Sequence, residues 1–294
     1  MANTREIVHR IHSVDATRQI TSAMKMVATA KLGKLQQKVT PLQYYAGQLT
    51  KVLQAVMAST KKNLAQSYLA QRPLKHALLV VMGSDRGLCG AFNAKVFKKA
   101  LQYIHTLGHG ERSPLITILP IGNKAAAFFA KKPFRMIVDH VKLSQQLSFD
   151  HTSPVVCLLI EAFKKETYDR IVLVYNTFQN AATHTPTVEQ LLPMTRSTTD
   201  NMDQEAQIDY IFEPSQATLV ETLIPHVLKI RFYKAQLASS ATEHGARMTT
   251  MSKATENAEE LLKDLRLTYN RTRQAVITQE ISEIVAGAGA LAAQ

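Results

Sequence analysis

Between Pro225 and Val285 the chain contains no further proline and only one glycine, Gly245. Through that stretch, small and apolar residues recur in alternating steps of three and four. They are Leu237, Ala241, His244, Met248, Met251, Thr255, Ala258, Leu262, Leu265, Tyr269, Thr272 and Val276. Sustained for so long, this is the period of a coiled-coil seam, not of a short globular helix. At ~1.5 Å per residue, roughly 60 helical residues make a rod of about 90 Å. No ordinary domain of a 294-residue chain has a core that long. Much of the rod must stand outside the domain or pass through something else. The seam holds Ala, Thr and Met rather than uniform Leu. That composition suits a close antiparallel helix pair, or a surface that repacks against several partners, because Met adapts to irregular contacts.

A second long helix is expected over about residues 4–59. Ile7, Ile11, Val14, Ile20, Met24, Val27, Leu32, Leu35, Val39 and Leu42 recur there at spacings near three and four. Asn3 or Thr4 is the expected N-cap, with Glu6 in the first turn. Gly33, Pro41 and Gly47 are its weak points, and Pro41 removes one backbone hydrogen bond. The middle of the chain alternates in character. Strands are predicted at 77–83, 115–121, 170–178 and 208–212, helices at 93–107, 123–131 and 155–167, and a polar loop at 195–207. Such alternation gives a small parallel or mixed sheet covered by helices. The predicted fold is therefore α/β with long helices. Residues 1–60 and 213–294 form an antiparallel coiled coil of N- and C-terminal helices, and a Rossmann-like α/β domain at 61–212 is inserted between them.

Charge narrows the partners. Residues 1–75 carry 12 Lys and Arg against 2 Asp and Glu, residues 76–212 carry 14 against 12, and residues 213–294 carry 9 against 9. The basic excess sits in the first quarter, so its partner should be acidic: nucleic acid, an anionic membrane face or an acidic protein surface. A basic coiled coil that binds nucleic acid is the alternative function. Its cations, Arg5, Arg10, Arg18, Lys25, Lys31, Lys34 and Lys38, are spread around the helix, and only Tyr44, Tyr45 and Tyr68 are aromatic there. That is no stacking platform. No apolar run approaches the ~18–20 residues that span a bilayer. Nor does the N-terminus have the apolar core of a signal peptide, so a soluble protein is expected.

Chemistry finds little purchase. The glycine stretch Gly83-Ser84-Asp85-Arg86-Gly87-Leu88-Cys89-Gly90 is spaced Gly-x-x-x-Gly-x-x-Gly. That spacing is neither the dinucleotide fingerprint nor a P-loop, and it predicts a tight turn. The two cysteines, Cys89 and Cys157, form no disulfide framework and have no metal-ligand spacing around them. Cys89 lies near a predicted helix start but has no His base beside it in the sequence, so a small buried residue is expected rather than a nucleophile. The ten His include no His-Glu-x-x-His, and no paired carboxylates suggest acid–base work. The chain is expected to have no catalytic site, cofactor or metal of its own.

Three stretches together resemble the gamma subunit of the rotary ATP synthase. The first is Arg10-Ile11-His12-Ser13 running into Gln19-Ile20-Thr21-Ser22-Ala23-Met24-Lys25-Met26-Val27-Ala28. The second is Ser84 to Asn93. The third runs from Glu243-His244-Gly245-Ala246-Arg247-Met248 through Ala254-Thr255-Glu256-Asn257-Ala258 to Tyr269-Asn270-Arg271-Thr272-Arg273-Gln274-Ala275 and Ile277-Thr278-Gln279-Glu280-Ile281. The resemblance covers the chain end to end.

It implies a shaft entering a ring of alternating alpha and beta subunits, with the α/β domain near the epsilon subunit and the c-subunit ring. By the same resemblance, Met24 and Lys25 meet an acidic loop of a beta subunit. Arg273, Gln274, Thr278 and Glu280 meet beta subunits higher up, and Tyr210 and Glu213 face the c ring. The small uncharged tail, residues 287–293, resembles the tip held in an apolar sleeve. Gly33 and Gly245 depart from the family, which has better helix formers there, and Ala238 replaces a commonly acidic residue. The paired-cysteine insertion of chloroplast members is absent. The expected setting is the cytoplasmic face of a bacterial inner membrane, peripheral to it.

Overall fold

The computed structural model describes residues 4–59, 66–107, 115–145, 147–178, 180, 184–194, 213 and 215–292. The predicted loop at 195–207, the predicted strand at 208–212 and the candidate cap Asn3 fall outside these residues. The chain divides into two compact units, Thr29–Arg247 and the pair of segments Met1–Ala28 and Met248–Gln294. Helices α1 (Thr4–Ser59) and α6 (Gln216–Ala292) contribute to both.

The larger unit is built on a five-stranded sheet. Its strands are β1 (His76–Met82), β2 (Leu115–Ile121), β3 (Arg135–Met136), β4 (Arg170–Phe178) and β5 (His184–Leu192), in spatial order β3-β2-β1-β4-β5. The first four are parallel, and β5 adds an antiparallel edge. Strands buried on both faces read as continuous apolar runs, as β1 does. The period of two then sorts their side chains. Leu78, Val80 and Met82 join Ile171, Leu173 and Tyr175 in one core, with α5 (Phe149–Lys164), α6 and the end of α1. Ala77, Leu79 and Val81 join Val172 and Val174 in the other, under α3 (Phe92–Leu107) and α4 (Asn123–Phe129). Each large side chain fully buried there contributes about 1.5–3 kcal/mol.

The strands at 115–121 and 170–178 and the helices of the middle segment stand close to the predicted limits. Helix α5 starts earlier than expected because the Ser148 hydroxyl accepts the Asp150 amide at 3.3 Å and caps it, and it ends at Lys164 rather than 167. Helix α6 starts at Gln216, nine residues before Pro225, with the Ser215 hydroxyl accepting the Thr218 amide at 3.2 Å. Strand β5 had no counterpart in the sequence reading; its burial is mostly intermediate, so apolar alternation is weak. Helix α1 runs on through Gly33, Pro41 and Gly47. A short helix, α2 (Gln66–Leu69), lies between α1 and β1.

In the smaller unit the two chain ends run antiparallel. The Thr255 hydroxyl donates to that of Thr21 at 2.8 Å, and Arg18 lies 3.9 Å from Glu259. On α6 every predicted seam position from Met248 to Val276 is buried or half-buried. On α1 the expectation is corrected at two places. Ile20 and Val27 are 60% and 57% exposed, and Thr21 and Ala28 take the seam positions instead. The three–four register, not hydrophobicity, selects the inward residue there.

Candidate functional site

The glycine stretch after β1 is the first place to look, because ligands of doubly wound sheets bind beyond the strand ends where the order reverses. Here that place is filled by the chain's own helix. The Arg247 guanidinium donates to the carbonyls of Arg86 (3.1 Å) and Gly87 (3.3 Å) and to the Glu243 carboxylate (2.8 Å). Ala246 packs on Cys89 and Phe92. Asn93 accepts the Ser84 amide at 3.0 Å and donates to the Ser84 hydroxyl at 2.7 Å. Asp85 accepts from the Ser144 hydroxyl at 2.8 Å and the Asn123 amide at 3.2 Å. The stretch is a tight, cross-braced turn, as its spacing predicts.

Two glycines make that turn possible. A Cβ on Gly122, whose φ is +97°, would lie 2.4 Å from the Gly83 carbonyl oxygen, and one on Gly83 would lie 2.9 Å from the Ala125 Cβ. Leu88 also adopts a positive φ of 63°. Cys89 is 2% exposed, and burial, opposed by the Ser84 hydrogen bond, raises its thiol pKa. It is a protonated core thiol, not an activated nucleophile. Burial likewise raises the Glu243 carboxyl, against the pull of Arg247. The His244 pKa is lowered to about 4 by burial first, then by Arg247 and Lys31. Among the described residues no group of three His, Cys, Asp or Glu is placed to hold a metal ion.

The residues singled out on the long helices lie on the outside of the smaller unit. Met24 is half-buried and Lys25 exposed on α1; Arg273, Gln274, Thr278 and Glu280 are all exposed on α6. Gln274 and Thr278 are four apart and share a face, where the Thr278 hydroxyl donates to the Gln274 carbonyl at 2.9 Å. Arg273 and Glu280 are seven apart and share the neighbouring one. Glu213 is exposed. Tyr210 falls outside the described residues.

Sequence reasoning did not mark as exposed the apolar side chains that stand among and beside these polar ones, and it placed Ile20 and Val27 in the seam. Met26 (68% exposed) joins Ile20 and Val27 beside Met24 and Lys25. Ile277, Ile281, Ile284 and Val285 are 41–70% exposed, at helical spacing from within the group Arg273 to Glu280 to just beyond it. The available signal was phase. All of them are large apolar residues lying off the three–four seam. The pairing explains the second group. Thr21 faces Thr255, so Thr4, where α1 starts, faces about residue 272 of α6. Beyond Val276 α6 runs past the described residues of α1, and every side chain described there is exposed. No helix is long and apolar enough to cross a membrane among the described residues.

These observations define a class: long paired helices with an inserted α/β domain, whose exposed apolar side chains lie on helix faces. Residues 3–291 match the ATP synthase family. The ATP synthase gamma chain of Amoebophilus asiaticus (strain 5a2) is 51% identical over 292 residues, 99% of each chain. That of Cytophaga hutchinsonii is 44% identical over 293 residues, again 99% of each. A chain of the Euglena gracilis mitochondrial ATP synthase, solved as OSCP/F1/c-ring in rotational state 3, matches with a TM-score of 0.63 at 21% identity. It covers 98% of this chain and 94% of that one. A chain of the Tetrahymena thermophila mitochondrial ATP synthase central stalk and c-ring matches at 0.57 and 24%, covering 80% and 99%. These two likenesses carry the fold. The chain belongs to the ATP synthase gamma chain family. The alternative of a nucleic-acid-binding coiled coil is set aside by that membership.

Proposed function

We propose that this chain is the central rotating shaft of an ion-driven ATP synthase, coupling c-ring rotation to ATP synthesis or hydrolysis at sites on the beta subunits. It has no catalytic site of its own. The observation that carries the reading is the run of α6 beyond Val276, which extends past the described residues of α1 with Ile277, Ile281, Ile284 and Val285 exposed. A single helix of that length is marginal in water, and a contiguous apolar stripe marks a partner surface. A surrounding apolar sleeve supplies what the chain leaves open.

A shaft without three-fold symmetry presents a different face to each of three beta subunits. Each face then favours a different conformation and nucleotide affinity, and ~1.4 kcal/mol of differential contact is a tenfold change. The coupling is reciprocal, so nucleotide occupancy also favours a shaft angle. In this reading Met24 and Lys25 meet an acidic beta loop, with Ile20, Met26 and Val27 around them. Arg273, Gln274, Thr278 and Glu280 meet beta subunits farther along, and Tyr210 and Glu213 face the c ring. The functional divisions are residues 1–60, 61–212 and 213–294. The partners are the alpha, beta and epsilon subunits and the c ring, at the cytoplasmic face of a bacterial inner membrane. Affinity isolation of the complex through a tag on this chain tests the proposal. Co-purification of ATP-binding ring subunits and c subunits is expected; recovery of the chain alone, or with nucleic acid, overturns it.

A further inference from the structure

Within the larger unit α6 is held by two kinds of contact. Val220, Ile224, Val227, Leu228, Phe232 and Ala235 sink into the core on one face of the sheet. Such burial is non-directional in itself and fixes the helix only through how its side chains interdigitate. Laid over it is a row of polar ties. Arg231 grips Glu189 Oε1 on β5 through Nε (3.0 Å) and Nη2 (2.7 Å) and also donates to the Gln190 carbonyl at 3.2 Å. Glu189 is held from its other oxygen by the Tyr175 hydroxyl at 2.7 Å. Gln236, 3% exposed, donates to the Leu143 carbonyl at 2.7 Å and accepts from the Thr152 hydroxyl of α5 at 2.8 Å. Thr242, 2% exposed, donates to the Ala238 carbonyl of its own helix at 2.8 Å and adds a longer contact of 3.4 Å to the Asn176 carbonyl of β4, and Arg247 follows on the glycine turn.

These ties reach different parts of the domain from one helix. A slip of one turn, about 5.4 Å, or a rotation by one residue, about 100°, breaks all of them together. Buried polar groups that add little net stability are best attested as devices that fix register. We propose that Gln236, with Arg231 and Thr242, forms a register key. These are positioning residues that lock the angle of α6 on the α/β domain, so that rotation delivered to the domain is not lost as slip along an apolar bed. The proposal rests on the rotor reading.

The test uses the whole complex reconstituted in vesicles, comparing ATP hydrolysis with the ATP-driven membrane potential reported by an oxonol dye. The double variant Gln236→Met with Thr242→Val keeps side-chain volume while removing the contacts of Gln236 and Thr242 and leaving those of Arg231 and Arg247. It is expected to hydrolyse ATP within two-fold of the unaltered complex while the rate of potential build-up per ATP falls at least three-fold. The melting temperature of the complex should hold. Adding back Gln236 alone should restore most of the loss. An unchanged ratio overturns the proposal, and so does a ratio that falls only in step with melting temperature. Should the double variant not assemble, Arg231→Gln at its part-exposed site must lower the ratio, and no change there overturns the proposal equally. Failure of the unaltered complex to build a potential sinks the rotor reading instead.

Discussion

The two units solve the same problem, holding α6, with opposite materials. In the larger unit α6 buries Phe232, Leu228 and Ile224 completely and is tied by Arg231, Gln236 and Arg247 to elements on several sides. In the smaller unit it has one neighbour, a seam of Met251, Thr255, Ala258 and Leu262, and otherwise exposed flanks. The first is built to keep one arrangement. The second leaves most of its surface open, including apolar side chains a self-sufficient domain would bury. Burial is concentrated where the chain meets itself, and exposed apolar side chains where it does not.

That contrast breaks most visibly with Phe232→Ala, which opens a cavity in the larger unit. About 3–5 kcal/mol of stability should be lost, read as a lower urea midpoint of the isolated chain. An equal loss from Ile281→Ala, which is already 55% exposed, would erase the distinction between the units. Ile281→Ala should leave the stability within about 0.5 kcal/mol of the unaltered chain. Next is Leu262→Pro, on the seam of the smaller unit. It should cost about 3 kcal/mol or more of helix stability and abolish coupling between hydrolysis and rotation in the assembled complex. Unchanged coupling there would mean that the paired helices need not be stiff.

A smaller effect is expected at the basic flank. Lys25→Glu reverses the charge beside Met24 and should weaken coupling several-fold at low ionic strength, with less effect at high salt. Screening acts over ~8 Å under physiological conditions, so coupling measured across a salt series decides the matter. A loss independent of salt would make the contact steric, carried by Met26 and Val27 rather than by charge.

The parts legible in the sequence were those governed by a period. The α6 seam from Met248 to Val276 was readable because a helix pair repeats its demand every three or four residues. The β1 strand was readable because burial on both faces leaves an unbroken apolar run from Ala77 to Met82, and β2 because only Thr117, itself β-branched, interrupts its apolar residues. Strand β5 was missed because it lies at an edge, half-exposed, paired through Glu189 and Thr187 as much as through apolar side chains. Ile20 and Val27 were misplaced because an outward apolar residue looks like a core residue until its phase is counted. The cross-braced glycine turn was legible as a turn. Its anchor, Arg247, lies about 160 positions along the chain from the carbonyls it holds, and nothing local announces such a contact.

The smallest predicted effect is on pH and belongs to the larger unit. The guanidinium of Arg247 lies 3.3 Å from His244 Nδ1, an arrangement that suits a neutral, accepting imidazole. Burial, then Arg247 and Lys31, lower its pKa from 6.5 to about 4. In the unfolded chain the ring takes up its proton near 6.5, so between these values the unfolded state holds more protons. Its contribution to stability is therefore complete above the unfolded value and is lost as pH falls through the folded one. Glu243 works the other way. Burial raises its carboxyl, with Asp85 adding and Arg247 and Lys31 opposing, so its contribution is present at low pH and declines as pH rises. His244→Gln should remove the rising limb and leave the declining one. The gain in urea midpoint between about pH 5 and pH 7 should shrink or reverse in that variant. Identical gains in the two chains would place the pH dependence outside the cluster around the glycine turn.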